Sequence, residues 1–198
     1  MTLSADELAR KEQWRRELTA GRSATSGNAR AEANEALRTA VLEHLRYSGA
    51  TTVCAYVPVG SEPGSLELVD GIREHGCRVL LPIVTGRQPL EWAEYTGPDS
   101  LSRAGFGLLE PNNSPLGIDA ISTAGLVLVP ALAVDRRGVR LGKGAGYYDR
   151  SLPLASGTAD LLAVVRDEEF VENLPAEAHD VRVHGVFTPS GGLSPLPR

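Results

Sequence analysis

The sequence predicts a three-layer α/β/α fold with a largely parallel central sheet and N-terminal helices. Three observations predict it. Beyond Gly49, apolar runs alternate with helical segments. Those runs are near-continuously apolar, as in strands covered on both faces. The residues before Gly49 instead carry a helical period of apolar positions.

Each element follows in order. A first helix is expected from about Ala5 to Ala20, opened by a capping box of Ser4 and Glu7 and a staple of Leu3 and Leu8. Trp14 and Leu18 lie one turn apart on it, and so do Lys11 and Arg15, whose cationic side chains share a face. "GRSATSGN" breaks this helix; a second runs to about Tyr47 with Leu37, Val41 and Leu45 on one stripe. "TTVCAYV" reads as a buried strand, "SLELVDGIREHG" as a helix ended by Gly76, and "CRVLLPIV" as a strand bounded at or just beyond Pro82. "LEWAEY" alternates, which predicts a more exposed strand. "GLVLVPALAVD" is apolar throughout and is the candidate central strand; "DRRG" turns the chain after it. "LLAVV" and "HGVFT" complete the strands. The tail "PSGGLSPLPR" lacks core residues, so one catalytic domain over 1–188 and a flexible tail over 189–198 are expected.

At 198 residues the chain can bury a sizeable core. A net charge of −5 and a pI near 5.4 argue against nucleic acid as a partner, since such binding works through basic surfaces. Any anionic ligand must then be held by a local basic site. Cys54 and Cys77 sit beside or within apolar runs and read as two buried thiols of a reducing compartment rather than one disulfide. The N-terminal residues show no apolar signal stretch, and no segment suits a bilayer span. A cytoplasmic monomer acting on small molecules, away from membranes, is the expectation.

The chemistry concentrates in "RLGKGAGYYDR", Arg140 to Arg150. Gly142, Gly144 and Gly146 alternate there, which suits either a backbone that approaches an anion closely or a glycine-rich surface turn leading into a helix. The spacing is neither the Walker pattern nor the dinucleotide fingerprint. Arg140 and Lys143 can neutralise phosphate charge, and Asp149 can hold a metal ion bridging phosphates. The loop "PVGSEPGS" after the first strand offers Glu62 to the amino and ring N–H groups of a heterocycle, at the strand end where such sheets bind ligands. His179 and Asp180 are metal ligands or ordinary loop residues. His44, His75, His179 and His184 show no zinc spacing. No activated nucleophile is visible, which favours direct phosphoryl transfer between bound substrates.

"LVPALAVDRRGVRLGKGAGYYDRSL" closely resembles the signature of the 5-formyltetrahydrofolate cyclo-ligases, and the likeness extends to "KEQWRREL", "GSEPGSLELVDGIREHGCRVLLPIV" and "PAEAHDVRVHGVFT". The resemblance implies an ATP- and Mg2+-dependent ring closure yielding 5,10-methenyltetrahydrofolate, ADP and phosphate. By that resemblance Lys11 and Arg15 serve the nucleotide, with Arg15 also reaching the folate. Arg140, Leu141, Gly142, Lys143, Gly144, Ala145, Gly146, Tyr147 and Tyr148 wrap the phosphates, and Lys143 to Tyr147 lie where both ligands meet. Val57 and Glu62 contact the folate; Lys143 and Arg140 act on the reacting phosphoryl group. Asp149 and Asp180 match the magnesium positions, while His184 stands where the family often has a second aspartate. The rival readings are a non-catalytic folate- or nucleotide-binding regulator on the same fold and an ATP-dependent kinase of another small heterocycle.

Overall fold

The computed structural model describes residues 4–177 and 180–197, apart from the side chain of Phe106. Helix α1 (Ala5–Ala24) starts at the expected capping box: the Ser4 hydroxyl accepts from Glu7 N–H, and the Glu7 carboxylate accepts from Ser4 N–H at 2.9 Å. Leu3, the other half of the staple, lies outside the described residues, as does His179. The helix continues past Ala20, because the Ser23 and Thr25 hydroxyls donate back to the carbonyls of Thr19 and Gly21 instead of pulling the backbone out of the helix. Only Thr25 and Ser26 separate it from α2 (Gly27–Ser48), which Ser26 caps at one end and Gly49, at φ 67°, at the other.

The chain then runs through β1 (Thr52–Cys54), α3 (Leu66–Glu74), β2 (Arg78–Ile83) and β3 (Glu91–Tyr95). A small hairpin of β4 (Leu101–Arg103) and β5 (Leu109–Pro111) follows. Next come β6 (Leu126–Pro130), β7 (Ala133–Asp135), β8 (Arg140–Leu141) and the short α4 (Tyr147–Ser151). The last elements are β9 (Asp160–Val164), β10 (Phe170–Val171), β11 (Gly185–Thr188) and β12 (Gly192–Pro195). The main sheet has the order β12-β11-β9-β6-β1-β2-β3; its five inner strands are parallel and its two outer ones antiparallel. A second sheet has the order β10-β7-β8.

Alternation along the inner strands fills both faces. Val53, Val79, Leu81, Leu126, Leu128, Leu162 and Val164 pack against Leu37, Val41 and Leu45 of α2 and Leu68, Val69 and Ile72 of α3. Cys54, Leu80, Val127, Val129, Leu161 and Ala163 face the other way, onto Ile121 of a 3-10 segment and Leu152 just past α4. The three layers expected from continuous apolar strands are present. Cys54 and Cys77 are free, buried thiols in these two opposite clusters.

Three local expectations are corrected. "GLVLVPALAVD" forms two strands in different sheets, β6 and β7: Pro130 ends the first, having no N–H to continue a ladder. The alternating "LEWAEY" is β3, yet Trp92, Ala93 and Tyr95 are buried, because both faces of this outer strand are covered. The tail is not frayed over its described residues, 189–197: β12 pairs with β11, Leu193 packs on one core cluster and Leu196 on the other.

Candidate active site at the carboxyl edge of the sheet

A cavity of about 450 Å3 opens where β1, β2 and β6 end. Tyr56 and Val57 follow β1, Pro82 and Val84 come from the end of β2, and Pro130 to Leu132 follow β6. This is where parallel sheets place ligands, since the strand ends leave a crevice and loops to line it. The glycine segment closes the opposite wall, from Gly142 to Asp149. Sequence reasoning missed the apolar walls, Pro82, Val84, Leu90, Pro130 and Leu132 among them; the signal was their position at or beyond strand ends.

The two loops singled out from the sequence meet here. Lys143 Nζ lies 2.6 Å from Glu62 Oε1, while Glu62 Oε2 accepts the Val59 N–H at 2.8 Å. Glu62 is well covered and Lys143 mostly exposed, at 13% and 55% of their side-chain surfaces. Behind them Arg140 is buried and pairs with the half-exposed Asp149. Arg140 Nε and the Tyr148 hydroxyl are buried with no hydrogen-bond partner among the described residues. Burial, and then the charge of Glu62, raises the Tyr148 pKa, so the phenol stays protonated; Tyr56 is shifted the same way by the same two causes. The Tyr147 hydroxyl donates to Gly86 O at 3.0 Å, across the mouth.

The glycine loop itself is held by its carbonyls. Arg15 Nε donates to Gly142 O at 3.1 Å, and an Arg150 N–H donates to Ala145 O at 3.1 Å. The N–H groups of Lys143, Gly144, Ala145 and Gly146 have no acceptor among the described residues. Gly144 and Gly146 adopt φ 97° and 72°, a region that side chains disfavour, and a Cβ on Gly146 would lie 2.6 Å from Arg150 Nη1. A loop with anchored carbonyls, N–H groups without acceptors and two cations beside it can receive an anion.

The remaining site candidates divide. Arg15 reaches the loop, and Leu141 is buried at its entry. Lys11 does not line the cavity; it lies 3.5 Å from Asp180 Oδ2 and 3.8 Å from Glu177 Oε2. Asp180 also accepts the Glu177 N–H at 2.8 Å and is not among the cavity walls. Among the described residues no three His, Cys, Asp or Glu side chains cluster as a ready metal site. His184 Nδ1 accepts the Leu161 N–H at 3.2 Å, which ties it to the sheet. A magnesium ion fits Asp149, whose half-exposed carboxylate lines the cavity, because Mg2+ takes one or two carboxylates and completes its shell with phosphates and water. It does not fit Asp180 as held here.

The profile of the "5-formyltetrahydrofolate cyclo-ligase family" matches residues 7–189. A 5-formyltetrahydrofolate cyclo-ligase of Mycolicibacterium smegmatis is 48% identical over 191 residues, covering 94% of this chain and 97% of the relative. The enzyme of that name from Escherichia coli K12 is 28% identical over 71% of this chain and 79% of its own. Among solved structures, a 5,10-methenyltetrahydrofolate synthetase of Aquifex aeolicus superposes with a TM-score of 0.77 at 24% identity, over 95% of this chain and 93% of that one; at this identity it speaks for the fold alone. The chain belongs to the 5-formyltetrahydrofolate cyclo-ligase family and is an enzyme of the ligase class.

Proposed function

We propose that this enzyme uses ATP to close 5-formyltetrahydrofolate into 5,10-methenyltetrahydrofolate, releasing ADP and phosphate. The observation that carries the reading is the 2.6 Å contact between Glu62 and Lys143, which brings a loop suited to a heterocycle and a loop suited to phosphates into one cavity. Glu62 accepts from the pterin, with Val57 beside it. The free N–H groups of the glycine loop, with Lys143 and Arg140, take the phosphates; Arg15 steadies the loop. Tyr147 and Tyr148 wall the meeting point.

A formyl amide is a poor electrophile, and its oxygen cannot leave unaided when N10 attacks. The formyl oxygen therefore attacks the γ-phosphorus, the bond to ADP breaks, and an N5-iminium phosphate results. N10 then bonds to the formyl carbon, loses its proton, and the C–O bond breaks as phosphate departs. The enzyme's task is alignment and stabilisation of spreading negative charge. Lys143 leaves Glu62 to do this, freeing the carboxylate for the pterin at the same moment. Asp149 would hold Mg2+, which supplies charge neutralisation at the phosphates when bound. Asp180 serves by pairing with Lys11 of α1.

Incubation with 5-formyltetrahydrofolate and MgATP tests the reading. Methenyl product should appear only with nucleotide and in equal amount to ADP. ADP release at a comparable rate without folate, or nucleotide binding without turnover, contradicts it and favours a kinase or a regulator.

A further inference from the structure

Arg22 and Glu169, neither of them a cavity-lining residue, form an ion pair that is almost completely buried, with side-chain exposures of 3% and 2%. Arg22 Nε meets Glu169 Oε1 at 2.6 Å and Arg22 Nη2 meets Oε2 at 2.8 Å, a two-pronged pairing. Glu169 Oε2 also accepts the Arg166 N–H at 2.8 Å, just past the end of β9. Arg22 Nη2 has one further bond, to Ala131 O at 2.6 Å.

Stability does not account for such a pair. Removing two charges from water costs about as much as their attraction returns, and apolar residues of similar volume often do as well or better. What the pair adds is a fixed position, and its surroundings show for what. Ala131 lies two residues before β7, and Gly142 immediately follows β8. Leu132 N–H donates to Leu141 O at 2.7 Å, so these two positions are the open end of one ladder. Arg15, two turns before Arg22 on the same face of α1, donates to Gly142 O. On the same helix, Trp14 beside Arg15 and Leu18 between the two arginines pack on the cluster of Leu132, Ala133, Val139 and Leu141. One face of α1 therefore grips both strands of the hairpin where it opens into the glycine loop.

We propose that Arg22 and Glu169 are positioning residues for the nucleotide: the buried pair fixes α1 against the hairpin and so sets where the glycine loop presents its N–H groups. This rests on the reading that the loop binds the phosphates of ATP. Neither residue touches the cavity, so the effect runs through Ala131 and Arg15.

The test is the double variant Arg22→Met/Glu169→Leu, which removes the pair without stranding a buried charge. Arg22→Met alone leaves Glu169 buried and unpaired and is expected to melt much lower, so it serves only as a comparison. The double variant should melt near the wild type, with KM and calorimetric Kd for MgATP raised about tenfold and KM for 5-formyltetrahydrofolate within about twofold. A purely structural pair would shift melting and leave the ratio of the two KM values alone. A wild type that binds no MgATP overturns the functional reading and this proposal with it. A wild type that binds MgATP and a folded double variant that binds it equally well overturn this proposal only.

Discussion

The two walls of the cavity are built on opposite principles. The loop carrying Glu62 is tied internally and from behind: the Tyr56 hydroxyl donates to Pro63 O at 2.7 Å, Val59 N–H to Glu62, and Gly64 N–H to Asn34 at 3.2 Å. The glycine loop opposite is anchored through its carbonyls by Arg15 and Arg150 and through the contact of Lys143 with Glu62, and its N–H groups are left without acceptors among the described residues. On the proposed reading, the first wall is held ready for a flat heterocycle once Lys143 leaves Glu62. On the same reading the second is completed by its ligand, whose phosphate oxygens accept from its N–H groups. Damage to the first should weaken binding of one substrate, and damage to the second should slow the chemistry.

The largest effect is expected on the unfinished wall. Lys143→Ala should lower kcat about tenfold to a thousandfold, as for other donors removed from developing charge. Melting should hardly move, because Lys143 is exposed and its contact with Glu62 lies at the cavity surface. An unchanged kcat would erase the distinction between the walls. Glu62→Gln is next: KM for the folate should rise about tenfold while KM for ATP stays constant, and the amide oxygen can still accept from Val59. Equal rises in both constants would make Glu62 a support of the loop rather than a pterin contact.

Asp149→Asn should raise the magnesium needed for half-maximal rate several-fold, and Asp180→Asn much less, because Asp180 serves Lys11. Activity titrated against free Mg2+ decides between them. The smallest effect belongs to Tyr56→Phe. Losing its bond to Pro63 should cost about 1 kcal/mol of stability and raise KM for the folate only about twofold. A large loss of kcat there would mean that the first wall also shapes the reaction.

Much of this was legible because local chemistry carried it. Ser4 and Glu7 announce α1, and continuous apolar runs announce a sheet buried on both faces. The alternating glycines announce the loop. The unread parts depend on partners distant in sequence. Nothing near Arg22 points to Glu169 or to Ala131; only the fold brings them together. Trp92 and Tyr95 look half-exposed by alternation, but covering segments bury them on both faces. The tail has few apolar residues, yet β11 offers an open ladder and two leucines find the core. Asp180 matched a motif, and its partner Lys11 was assigned elsewhere, so their contact was invisible from either motif alone.

The central claim is that the glycine-loop wall delivers the γ-phosphoryl group to the formyl oxygen of a substrate held by the other wall. Following that oxygen tests it most directly. 5-Formyltetrahydrofolate labelled with 18O in the formyl group is converted with unlabelled MgATP, and the products are weighed by mass spectrometry. The account predicts one 18O in each molecule of released phosphate and none in ADP. Label recovered in water, with unlabelled phosphate, would mean that ATP is split without touching the formyl oxygen and would contradict the account.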